Sequence, residues 1–121
     1  MNLKNLSLLI VLLVPGVAFA STATSTMAAI LTELNHFPTG EHKAALAAIT
    51  KSEESSEEEK LLAQVITGIS HQASAADKVK LEKLLGDSTQ ADSIKIISKA
   101  ILNTMHKPQG EDIDALKTLL E

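Results

Sequence analysis

Leu61, Leu62, Val65, Ile66 and Ile69 follow the i, i+1, i+4, i+5, i+8 spacing that lays one apolar stripe along a helix. Thirty-five residues earlier the stripe recurs as Thr26, Met27, Ile30, Leu31 and Leu34, and thirty-five residues later as Ile96, Ile97, Ala100, Ile101 and Thr104. A second stripe follows each of these. It reads Leu46 and Ile49, then Leu81, Leu84 and Leu85, then Leu116, Leu119 and Leu120. Strand alternation is nowhere sustained. Self-similarity at a period between twenty and fifty residues marks a repeat architecture. The pattern therefore predicts an all-α fold of three tandem 35-residue helical hairpins. Six short helices form a short solenoid-like array or a compact helix bundle.

Polar residues punctuate the stripes. Thr39 and Ser74 stand where an N-cap oxygen takes up free backbone N–H groups, and Asp77 follows Ser74 at capping-box spacing. Ser55-x-x-Glu58, Ser56-x-x-Glu59 and Thr89-x-x-Asp92 offer further helix starts, and Gly86 a stop. Glu41, Asp77, Glu111 and Asp112 put negative charge into first turns, where the helix dipole favours it. The units run approximately 21–51, 52–86 and 87–121, as one helical-repeat domain. Unit length and helix-turn-helix form resemble the tetratricopeptide class, but the Trp, Tyr and Gly positions of that signature are missing.

Residues 1–20 lie outside the repeat and read as a signal peptide. Lys4 gives a short positive start, and Leu6 to Val14 a mostly apolar run too short to span a bilayer. Pro15-Gly16 break that run, and Ala18-Phe19-Ala20 is a small-x-small cleavage site. Cleavage there leaves Ser21 first, thirty-five residues before the helix start at Ser56. A periplasmic or secreted protein with no membrane span in its mature chain is the expectation. Loss of Lys4 takes the formal charge from −4 to −5. Arg is absent, which speaks against nucleic-acid or phosphate recognition, and Cys is absent, so packing alone must hold the domain together.

The period also aligns His36, His71 and His106. His36-x-Pro38-x-Gly40-Glu41 recurs letter for letter as His106-x-Pro108-x-Gly110-Glu111. A histidine ending a helix ahead of x-Pro reads first as a corner residue that caps free carbonyls and complements the dipole. The alternative is a metal site. In an open stack, equivalent positions lie about 10 Å apart, so two imidazoles can share an ion but three in a line cannot. Glu33 stands at ligand spacing from His36, and Met105 beside His106 offers a thioether that leans towards copper. Glu53-Glu54 and Glu57-Glu58-Glu59 read as a solvated turn and an acidic first turn.

No nucleophile elbow or metalloprotease motif is present, and short helical repeats seldom form a deep pocket. The expectation is a non-enzymatic protein-interaction module without cofactor: an adaptor, an inhibitor or immunity protein, or a chaperone-like holder. Its partner is another protein. Phe37 and His42, which have no counterpart in the other copies, are the candidate contacts. A periplasmic metal-binding protein using the repeated histidines is the alternative.

Overall fold

The computed structural model describes residues 21–120; the expected signal peptide and Glu121 lie outside the described residues. Six helices follow one another: α1 (Thr22–Glu33), α2 (Gly40–Lys51), α3 (Glu57–Thr67), α4 (Ala75–Gly86), α5 (Asp92–Leu102) and α6 (Gly110–Lys117). The 3-10 turn Thr118–Leu120 ends them. The N-caps keep the period strictly, at Ser21, Ser56 and Ala91 for the first helices and Thr39, Ser74 and Gln109 for the second. Ser21, Thr39, Ser56 and Ser74 each accept from the amide three residues on, whereas Ala91 and Gln109 cap with backbone alone.

One expected start moves. Thr89 does not cap α5, because the Asp87 carboxylate takes both its amide (2.9 Å) and its hydroxyl (2.6 Å) and also accepts from Gln90 Nε2. These bonds hold Asp87 below the usual carboxylate range, the Thr89 hydroxyl contributing most. A side chain spent on such a local turn cannot cap a helix two residues later. Glu59 lies in the expected acidic first turn, at the start marked by Ser56-x-x-Glu59. It is buried, accepts from the Ser56 amide in a capping box, and accepts from the Ser21 hydroxyl of the first unit.

The hairpins do not form an open stack. α2 packs on α3, α4 on α5, and α6 returns to α1, while α1, α3 and α5 touch one another inside. Three hairpins thus close around a pseudo-threefold axis. Burial repeats with the period: Met27, Leu62 and Ile97 are fully buried, as are Leu31, Ile66 and Ile101, and Leu46, Leu81 and Leu116. Ala28, Ala63 and Ser98 occupy one buried column on the inner helices, where small side chains let helices approach closely. Ser25 Oγ donates to the Leu119 carbonyl at 2.8 Å and joins the two ends of the domain. Among the described residues no helix is long and apolar enough to cross a membrane.

A trihistidine triangle at the end of the axis

Each inner helix leads within four residues to one histidine of the repeated column. The flanking residues bridge across that histidine, Asn35 with Phe37, Ser70 with Gln72 and Met105 with Lys107. A reversal this tight pivots on one residue, and it forces φ to +74° at His36, +69° at His71 and +72° at His106. Among the described residues these three are the non-glycine positions with positive φ. An L-residue there crowds its Cβ against the backbone, a cost of order 1–2 kcal/mol that glycine escapes.

Closure of the hairpins brings the three corners together. The His71 amide donates to the His36 carbonyl (2.6 Å), His106 to His71 (2.7 Å) and His36 to His106 (2.5 Å). Each histidine thus gives and accepts one backbone bond in a closed cycle. The imidazoles share one site, with ring centroids 4.8–5.0 Å apart and planes inclined by 59–85°. Nδ1 of His71 and Nδ1 of His106 are 3.1 Å apart. One potential ligand atom from each histidine lies within 4.8 Å of the other two.

This arrangement corrects the linear geometry expected of a stack, because in a closed triangle all three pairwise gaps are short. It also changes the reading of the corner. The amides of Leu34, Ile69 and Thr104 bond the carbonyls three residues back, and among the described residues the hydrogen bond between His71 and His106 is the one seen for these rings. Backbone therefore caps these helices.

The geometry suits a metal ion. Zn–N bonds of about 2.0–2.1 Å at tetrahedral angles set ligand nitrogens about 3.3 Å apart. The His71–His106 pair is close to that separation already. One ligand atom from each of the three rings lies within 4.8 Å of the others, so modest rotation of these partly exposed imidazoles brings the set toward that spacing. His36 is half-buried and the other two are exposed, so the remaining coordination positions face solvent. The C-termini of α1, α3 and α5 end beside the triangle, and their dipoles put partial negative charge where a cation sits.

The remaining candidates stand apart from the triangle. Glu33 turns away from His36 to His42, whose Nε2 lies 3.0 Å from Oε1. Nδ1 of His42 accepts from the Thr39 amide, so Nε2 carries the proton and donates to Glu33. His42 is thereby spent on the start of α2, completing a capping box with Thr39. Phe37 is 59% exposed and Met105 60%, each one residue from the triangle. Comparison with protein-family models, curated proteins and solved structures returns no match to this chain.

Proposed function

We propose that the protein binds a divalent transition-metal ion through His36, His71 and His106. One observation carries this reading. The three positions whose backbone favours glycine all hold histidine, and their imidazoles meet at one point. Backbone preference by itself gives no reason to hold histidine rather than glycine at all three of them. Imidazole donors suit Zn, Cu, Ni or Fe, and three of them leave coordination open. With residues 1–20 read as an export signal, that ion is met in the periplasm or outside the cell.

A protein-interaction module is the second reading, and the exposed Phe37 is the observation in its favour. An open helical array presents a concave groove to its partner, but closure of the three hairpins buries that face in the core.

Thermal melts with and without Zn2+ test the metal reading. A ligand that binds only the folded state raises the midpoint with its free concentration. The expected result is a rise that disappears in His36→Gly, His71→Gly and His106→Gly. An unchanged midpoint with Zn2+, Cu2+ and Ni2+ in the parent protein would overturn the proposal.

A further inference from the structure

We infer that the ion joins two copies of this chain, each supplying one trihistidine face; this rests on the metal reading above. Three donors held on one side of an ion occupy one triangular face of its coordination shell. For an ion that takes six donors, such as Ni2+, the vacant positions form a second triangle opposite. Among the described residues no fourth His, Asp or Glu joins the cluster, so those positions must be filled from outside. A ligand set with the same threefold pattern already exists, on a second copy turned over by a two-fold axis across the ion. A two-fold pairing of identical patches is the commonest way proteins form dimers.

The surroundings fit such a partner. Phe37 and Met105 border the triangle, two of the large apolar side chains that this fold leaves exposed. A facing copy covers both. Two exposed apolar side chains from each copy make too little contact to hold a pair by themselves, against the roughly 1,200 Å² of a stable complex. Six helix C-termini also meet there, and their partial negative charges repel unless a cation lies between them. The dimer is therefore conditional on the ion, and the protein is monomeric without it.

Light scattering after gel filtration, with Ni2+ titrated into the purified protein, tests this. The expected result is a doubled mass at one Ni2+ per two chains, reversed by EDTA and absent in His71→Gly. Phe37→Ser, which leaves the ligands intact, should weaken the dimer at least fivefold. One bound Ni2+ per chain at unchanged mass overturns the dimer and leaves the metal site standing, whereas no uptake of any ion removes the metal site itself. A dimer equally tight in Phe37→Ser places the contact elsewhere and also overturns the inference.

Discussion

The amide of His36 donates to the carbonyl of His106 at 2.5 Å, across seventy residues of sequence, and that bond locks the first unit to the last. It completes the cycle on which the three imidazoles are mounted. The backbone at these corners is fixed by bonds that do not involve the side chains, so backbone preference and ligand chemistry can be varied separately.

Substitutions at His71 should follow the backbone when no metal is present. Glycine relieves the positive φ of +69° but adds freedom to the unfolded chain, and the two effects of about 1 kcal/mol offset. His71→Gly should therefore stay within about 1 kcal/mol of the parent. His71→Val, which forces a β-branched side chain into the same conformation, should lose about 2 kcal/mol or more. Urea unfolding of metal-free protein checks the order. Stability equal in the two variants would show that φ is not what these corners demand.

Ser98 should be improved by alanine. Its side chain is fully buried, its Oγ has no hydrogen-bond partner, and Ala28 and Ala63 hold the same place in the other units. Burying an unsatisfied hydroxyl costs about 1–3 kcal/mol. Ser98→Ala should stabilise the domain by about 1 kcal/mol, read as a higher thermal midpoint.

Leu46, Leu81 and Leu116 are each fully buried at one repeated position. Truncation to alanine should cost about 2–5 kcal/mol in each case, the range for a buried leucine. The threefold environment predicts similar losses in all three variants. Chemical denaturation measures them, and one loss far below the others would mean that the units are packed unequally.

Asp87 gives the domain one source of acid sensitivity. Its carboxyl is held below its ordinary range by the Thr89 hydroxyl and amide and by Gln90. A group depressed in the folded state stabilises the fold above its unfolded pKa, and that contribution is lost as pH falls through the lower, folded pKa. Asp87→Asn should lower stability at neutral and alkaline pH, converge on the parent in acid, and so flatten the acid limb of the profile. Melts from neutral pH down to the carboxylate range test this.

The helices were legible because their signals are local. Spacing of Leu62, Val65 and Ile66 states a helix face, and the period carries it to the other units. Closure was not legible, because it depends on the rotation between successive hairpins, a property of packing that no short motif encodes. Without that rotation the three histidines read as a line. Nor did the left-handed corners announce themselves, since the usual marker, glycine, is missing there. A signal was nonetheless present. Histidine is kept at all three corners while the residues after it change from Phe37 to Gln72 to Lys107. Thr89 misled for the opposite reason: a good cap residue stood within reach of an equally good turn carboxylate, Asp87.

Closure also removes the distinction between end and middle. A linear repeat protein needs terminal units with polar outer faces, but here each unit has two neighbours and none is a cap. The 35-residue unit is thus a complete building block. A single consensus unit, synthesised alone, has the two faces it needs to assemble as a symmetric trimer. With Ser25 bonded to the Leu119 carbonyl, the ends of the domain are close enough to be joined and the chain reopened at either of its two interior unit boundaries.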